Sequence, residues 1–391
     1  MSPTIAIVSI LGDARNPSVW SGTPSNLASA LESLGCSIAS VSVRPNLVGR
    51  QALKAASILT GNGPDYSRTW ISPLVAGLCL ARGLHRGTST CLHMGTATAP
   101  VAEGRGSGHA IYLDCTFHLM AAQRPSLYSD RFRRAYDLFE RRALTSAEHV
   151  FTVSQYVRRD VIEYYAVPTE RVTIVGTGRG NISPFEGPKD YSKRMILFVA
   201  KDRFEEKGGP LLLDGVRIAA RSDPRLRLVV VAQERYRATV ESVPGATFKT
   251  ALVWEDLQAL FRSASLFAMP AKHEPWGIVY LEALASRTPI MGLNLNALPE
   301  LTRDRQAGFL LETDTPEAVA GCLLDAFSNT NRLAEMGLAG QRHVLAHYTW
   351  ENTALKIYSA LFGTPAGAAS ASVPAFPGSE RSLAGAISPG Q

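Results

Sequence analysis

No apolar run in these 391 residues approaches the ~18–20 positions that a membrane-spanning helix requires. The stretch Ile5–Leu11 is short, lacks a basic start and shows no clear cleavage site, so it reads as a first strand and not as a signal peptide. Cysteine is scarce. Cys36, Cys79, Cys91, Cys115 and Cys322 are odd in number, scattered, and form no C-x-x-C pair. That argues against a zinc site and for reduced thiols in a cytoplasmic protein. No Asp-x-Asp offers paired carboxylates to a metal, so no metal ligand is assigned. The nearest approach to a dinucleotide loop, Gly176-Thr-Gly-Arg-Gly180, lacks the G-x-G-x-x-G spacing, and Pro184 follows too soon for a phosphate-facing helix. It reads as linker, and nicotinamide binding is set aside.

Charge is also modest. Charged residues make up 19% and hydrophobic residues 46%, the balance of a soluble globular enzyme and not of a disordered or fibrous chain. The length suits two domains of ordinary size. A net charge of +6 admits nucleic acid, an anionic membrane surface or anionic substrates as partners. The arginines are unevenly spread: Arg124, Arg131, Arg133, Arg134, Arg141, Arg142, Arg158 and Arg159 crowd one part of the first half. Phe132, Tyr136, Phe139 and Ala143 recur there at helical spacing, which turns most of these arginines to the opposite, exposed face. A plain solvated face and a contact with anionic lipid headgroups both fit that pattern.

What the chain has in quantity is alternation. Strand-like runs at Thr4–Leu11, Cys36–Val43, Ser89–Met94, Ala110–Asp114, His149–Val153 and Val172–Val175 are separated by helical patterns such as Ser25–Leu34 and Asp130–Ser146. After a Gly- and Pro-rich loop the alternation restarts at Met195–Ala200, Leu226–Ala232, Ala264–Pro270, Pro289–Leu293 and Gly308–Leu311. The fold class expected is α/β, with two Rossmann-like doubly wound domains facing a cleft at the carboxyl ends of their strands. The boundaries expected are 1–178 for the first domain, 179–193 for the linker and 194–345 for the second domain. A last helix at 346–362 and a tail at 363–391, rich in Gly, Ala, Ser and Pro and read as disordered, complete the chain.

Two carboxylates stand out in Glu274-Pro-Trp-Gly-Ile-Val-Tyr-Leu-Glu282. Glu282 interrupts an apolar run, where an unpaired carboxylate is costly. Pro275 suits a first helical turn and Gly277 permits close approach of a ligand, so a helix is expected to start near Pro275 with an anion-binding mouth. Eight residues at about 100° each bring Glu282 within roughly 80° of the direction of Glu274. Two acceptors beside an anion site suit a ligand bearing hydroxyls and phosphate. Lys201 after one strand, and Lys207 before Gly208-Gly209, read as a phosphate clamp at a second helix mouth.

This stretch, with Phe267-Ala-Met-Pro270 before it and Ala283-Leu-Ala-Ser-Arg-Thr-Pro289 and Leu298-Pro-Glu300 after it, resembles the retaining glycosyltransferases of family 4, whose fold is GT-B and whose signature is Glu-x7-Glu. The resemblance implies transfer of a hexose from a nucleoside-diphosphate sugar, UDP- or GDP-linked, to a carbohydrate or lipid-linked acceptor, without a cofactor and without nucleic acid. It implies donor contacts from Gly22, Lys201, Lys207, Glu274, Trp276, Gly277, Ile278, Val279 and Glu282, with His118, Lys201, Lys207 and Glu274 at the reacting centre. Glu274 would hold sugar hydroxyls and Glu282 the ribose. Attack would be front-side, the leaving phosphate helping to remove the acceptor proton. The family commonly has Arg where this chain has Lys201, and paired glycines where only Gly22 remains. The last helix would cross back onto the first domain, and the enzyme would sit in the cytoplasm or at the inner membrane face. An epimerase or phosphorylase on the same fold, and a non-catalytic basic binding protein, are the rival readings.

Overall fold

A computed structural model describes residues 2–43, 47–59, 88–99, 108–201 and 203–364, so the tail expected from residue 363 falls almost wholly outside the described residues. β1 (Thr4–Ser9) is buried along nearly its whole length. It pairs in parallel with β2 (Ser37–Ser42) on one side and β3 (Thr90–Met94) on the other. β4 (Gly108–Leu113), β5 (His149–Thr152) and β6 (Val172–Ile174) extend the sheet to the order β2-β1-β3-β4-β5-β6. The second sheet comprises β7 (Met195–Ala200), β8 (Arg227–Ala232), β9 (Ala246–Lys249), β10 (Leu266–Ala268), β11 (Ile290–Leu293) and β12 (Gly308–Leu311), in the order β12-β11-β10-β7-β8-β9. Parallel strands are covered by helices on both faces, which is why these segments read as apolar runs and not as alternating ones.

The covering helices are, in chain order, α1 (Thr23–Ser33), α2 (Leu47–Leu59), α3 (Phe117–Gln123), α4 (Asp130–Ser146), α5 (Gln155–Glu163), α6 (Gly209–Ser222), α7 (Trp254–Ser263), α8 (Ile278–Ala285), α9 (Pro316–Ser328), α10 (Thr330–His347) and α11 (Trp350–Phe362), with shorter turns between them. In each sheet the chain order reverses at one strand: β1 lies between β2 and β3, and β7 between β8 and β10. Such switch points open a crevice at the carboxyl ends of the strands. The segments that leave β1 and β7 are those carrying Gly22 and Lys201.

Most strands lie within two residues of their expected spans. β9 was not expected, because only Phe248 of its four residues is buried and so short a run shows no period. α4 begins at Asp130 with Ser129 as its cap, the Ser129 hydroxyl accepting from the Phe132 N–H at 3.3 Å. Its inward face is Phe132, Tyr136, Glu140 and Ala143, so a glutamate sits on the buried side beside Phe139, which is only half-buried. Glu140 is tolerated because it is satisfied: its carboxylate accepts from Thr96 Oγ1 at 2.7 Å, from the Phe117 N–H at 2.6 Å and from Tyr165 Oη at 2.6 Å.

α11 crosses from the second sheet back to pack on α1 of the first. The Thr349 hydroxyl caps it, accepting from the Asn352 N–H at 3.1 Å, and Thr353 Oγ1 donates to the Val175 carbonyl at 3.2 Å. Ala354 and Ile357 are fully buried. At the crossing, Gly178 lies so close that an added Cβ would stand 2.3 Å from Trp350 Cδ1. Gly178→Ala should therefore force the crossover helix away and cost about 1–3 kcal/mol, the scale of overpacking a filled site. A thermal melt checks this, and a melting temperature equal to wild type would mean that the contact is not tight.

Candidate functional site

One wall of the cleft is built at the end of β7. Lys201 follows the strand and is exposed. The turn that comes next closes at Gly208, which has the left-handed φ of 81° and caps α6. A Cβ at Gly208 would lie 2.1 Å from the Pro270 carbonyl oxygen, so glycine lets this turn press against the segment that leaves β10. Two cations thereby converge on one carboxylate. Lys207 Nζ is 3.7 Å and Arg203 Nη2 is 3.5 Å from Glu274 Oε2, whose side chain is 12% exposed. Arg203 was not anticipated; its signal is a third basic residue between Lys201 and Lys207.

The helix carrying the second glutamate starts later than the sequence implies. α8 runs Ile278–Ala285 and is capped by Gly277 at φ 79°, so Pro275 lies outside it. The cause is Gly277, whose left-handed backbone ends the preceding turn and sets the helix axis anew. Glu274 is consequently placed by the turn, and the 80° separation along a common helix does not apply. A side chain at 277 would also meet Tyr280 Cδ2 at 2.7 Å and Glu274 Cγ at 3.1 Å. The N–H groups of Ile278 and Val279, in the first turn of α8, have no acceptor within their own helix and face the same region.

Glu282 lies one turn into α8. It keeps part of its surface open to the cleft but sits deep among protein atoms. Burial pushes its carboxyl up to about 7, with Lys201 and then Lys207 acting in the opposite direction. The loop read as plain linker is its roof: Gly180, at φ 73°, comes so close that a Cβ there would be 2.8 Å from Glu282 Oε1. Thr177 of the same loop accepts from Trp276 Nε1–H at 2.8 Å, and the Trp276 ring meets Tyr348 edge-on at 5.4 Å. Trp276 is 4% exposed, so its side chain pins the loop and the C-terminal segment together, leaving only its backbone to a ligand. Lys189, unmarked in the sequence, anchors the far end of α8. Its ammonium donates to the carbonyls of Ser286 at 2.7 Å and Phe261 at 3.0 Å and to the Thr288 hydroxyl.

The opposite wall belongs to the first domain. Trp20, Ser21 and Gly22 are three successive left-handed residues, with φ of 45°, 53° and 80°, leading into α1. Left-handed backbone costs a non-glycine residue of order 1–2 kcal/mol, and such strain clusters where a loop meets a ligand. His118 sits in the first turn of α3. Its Nδ1–H donates to Asp160 Oδ1 at 2.6 Å, and its ring stacks on Tyr164 with centroids 3.6 Å apart, leaving Nε2 as the remaining polar atom. Between β1, β3 and β4 lies a cavity of about 280 Å³, lined by Trp20, Met94, Asp114, Phe117, Tyr136 and Glu140 among others. Lys201, Lys207, Arg203, Glu274 and Glu282 are thus gathered on one wall, and Gly22 and His118 stand on the other. Cations, a helix mouth and two carboxyl groups on one wall suit a ligand with phosphates and hydroxyls.

The raised pKa of Glu282 makes a stability prediction. Its folded value lies above the unfolded one near 4.5, so folding favours the protonated form and the penalty grows as pH rises through about 7. Glu282→Gln should raise the melting temperature by roughly 2–4 °C at pH 8 and by far less at pH 5. Equal effects at both pH values would show that the carboxyl is not desolvated.

Residues 25–179 match the family described as glycosyltransferase family 4, and residues 193–329 match glycosyl transferases group 1. The chain is 26% identical over 237 residues to the D-inositol 3-phosphate glycosyltransferase of Segniliparus rotundus, covering 55% of this chain and 52% of that protein. It is 28% identical over 256 residues to the alpha-maltose-1-phosphate synthase of Mycolicibacterium smegmatis, covering 56% and 65% respectively. The matches thus span about half to two-thirds of the length of these relatives. Among solved structures, sucrose-phosphate synthase from Thermosynechococcus elongatus superposes with a TM-score of 0.66 over 91% of this chain and 97% of that one, at 15% identity, which speaks for the fold alone. With one matched domain on each wall of the cleft and this architecture, the chain belongs to the family 4-like glycosyltransferases of the GT-B fold.

Proposed function

We propose that the protein is a retaining glycosyltransferase that moves a hexose from a UDP- or GDP-sugar to a hydroxylated acceptor. The observation that carries the reading is the pairing of Lys207 and Arg203 around Glu274, with Glu282 behind them and the mouth of α8 alongside. A diphosphate leaving group gains charge as its bond to the sugar breaks. Lys201, Lys207 and the first-turn N–H groups of α8 are fixed in advance to stabilise that charge, so they favour the transition state over the ground state. Glu274, released from its two cations by the incoming phosphates, accepts hydroxyls of the transferred sugar. Glu282 accepts ribose hydroxyls, whose hydrogen bonds favour the ionised carboxylate in a site that otherwise favours the protonated one. No carboxylate need attack the anomeric carbon on this route. The leaving phosphate takes the acceptor proton, and His118 Nε2, with Nδ1–H held by Asp160, offers a hydrogen-bond acceptor from the opposite wall. Neither a cofactor nor nucleic acid enters the scheme.

A lipid-linked acceptor or an anionic membrane surface is favoured by one further observation. On α4, Arg131, Arg134, Leu138 and Arg142 are exposed along one stripe, and Leu138 is 50% accessible. Arg133 and Arg141 are engaged instead, with Asp130 and with the Tyr164 carbonyl. A leucine set among exposed guanidinium groups suits a headgroup layer better than bulk water.

Turnover tests the first reading. Nucleoside diphosphate release should be found with one member of a panel of UDP-, GDP- and ADP-sugars. Lys207→Ala should then lower kcat by roughly 10²–10³, the scale of losing one electrostatic stabiliser. A Lys207→Ala enzyme with near-normal turnover would remove the clamp from the mechanism. Vesicles test the second. The protein should sediment with anionic vesicles at low salt and release as salt rises, and Arg134→Glu with Arg142→Glu should abolish sedimentation; a protein that stays in the supernatant at low salt has a plain solvated face.

A further inference from the structure

α3 is short, but both walls of the cleft meet on it. Its first turn is fixed to the first domain: the Phe117 N–H donates to Glu140, and His118 Nδ1–H and Thr116 Oγ1 both donate to Asp160. Its last turn reaches the other way. Gln123 Nε2 donates to Asn296 Oδ1 and, within its own domain, to Tyr156 Oη at 3.2 Å, while Gln123 Oε1 accepts from His273 Nδ1–H at 3.3 Å. Arg124 Nη2 donates to Glu206 Oε2 at 2.8 Å. The partners are placed with purpose for the donor wall. His273 immediately precedes Glu274, Glu206 immediately precedes Lys207, and Asn296 lies in the loop after β11. Glu206 also stands 4.0 Å from Arg203, so a chain of charge runs Arg124–Glu206–Arg203–Glu274 from one wall to the other.

We infer that Gln123 and Arg124 are positioning residues that latch the cleft closed and set His118 in register with Glu274 and Lys207; this rests on the glycosyltransferase reading of the site. A single exposed ion pair contributes little to stability. A latch, however, acts on position: the two domains are already joined by the linker and by α11, and contacts to three separate loops are enough to choose one closure angle among several. A displacement of about 1 Å at a reacting centre costs on the order of 10²-fold in rate, so weak contacts that set an angle have large leverage on turnover.

The test combines scattering with kinetics on the full chain. The Gln123→Ala/Arg124→Ala double variant should show a larger radius of gyration than wild type by small-angle X-ray scattering, with an unchanged melting temperature. Its kcat should fall by roughly 10–100-fold with a smaller change in KM for the nucleotide sugar, the split that marks loss of alignment and not of donor binding. Arg124→Ala and Glu206→Ala should each lower kcat by the same factor, and together by no more than either alone. Gln123→Glu and Arg124→Gln keep size and helix propensity and replace the alanine variant if it unfolds. An unchanged radius of gyration, or independent losses that multiply in the Arg124/Glu206 pair, would overturn the latch. Scattering reads the latch without turnover, so a wild-type protein that transfers no sugar would sink the catalytic reading separately.

Discussion

The carboxyl of Glu282 sits beneath the backbone of Gly180, and the cost of keeping a charge there organises the residues around it. Water is displaced by the loop above, so ionisation must be supported by Lys201 and Lys207 on the same wall. Those lysines are held where they are by backbone geometry. Gly208 lets one turn touch Pro270, and Gly277 starts α8 where it can aim Glu282 inward. Lys189 fastens the other end of the same helix by donating to the Ser286 carbonyl. Arrangements that leave a group less stable than it would be in water are retained where a ligand completes them.

A second buried carboxyl plays a different part. Glu300, in the Leu298-Pro-Glu300 stretch of the second domain, accepts the Gln155 N–H at 2.8 Å and so caps α5 of the first. Burial raises its carboxyl to about 7, opposed by that hydrogen bond and by Lys356 of α11. Residues from both domains and from the crossover helix therefore share one electrostatic environment behind the cleft. The cleft itself has cations and two carboxyl groups gathered on one wall, and on the other a cavity lined by Trp20, Phe117 and Tyr136 together with Asp114 and Glu140.

Much of this was legible before any coordinates. Apolar runs such as that of β7 announce a doubly covered parallel sheet, and Gly277 announces a place where the backbone can be approached closely. The span of α4, Asp130–Ser146, could be read to the residue. What was not legible depended on contacts remote in sequence. Gly176–Gly180 has the composition of a linker, and only the approach of Trp276, Glu282 and Trp350 makes it a structural roof. Glu140 reads as one more polar position on a charged helix, since its three donors come from 23, 25 and 44 residues away. Lys189 carries no pattern at all, and Arg203 only that of a third basic residue between Lys201 and Lys207. The start of α8 was misplaced for a more general reason: proline permits a helical first turn, but a glycine two residues later is free to end that turn, and composition does not say which prevails.

The return of α11 to α1 has a consequence for the order of events during synthesis. The apolar face of α1 emerges early from the ribosome, yet the surface that covers it comes from residues 354 and 357, made after both sheets are complete. The first domain must wait, partly uncapped, for the whole of the second to be translated. At about 5–20 residues per second that interval is of order ten seconds or more, during which the exposed face is a binding surface for chaperones or for another nascent chain. A fold whose two domains are joined by α11 is thus also a fold whose first half is completed by that helix, and a truncation that removes α11 would be felt at α1.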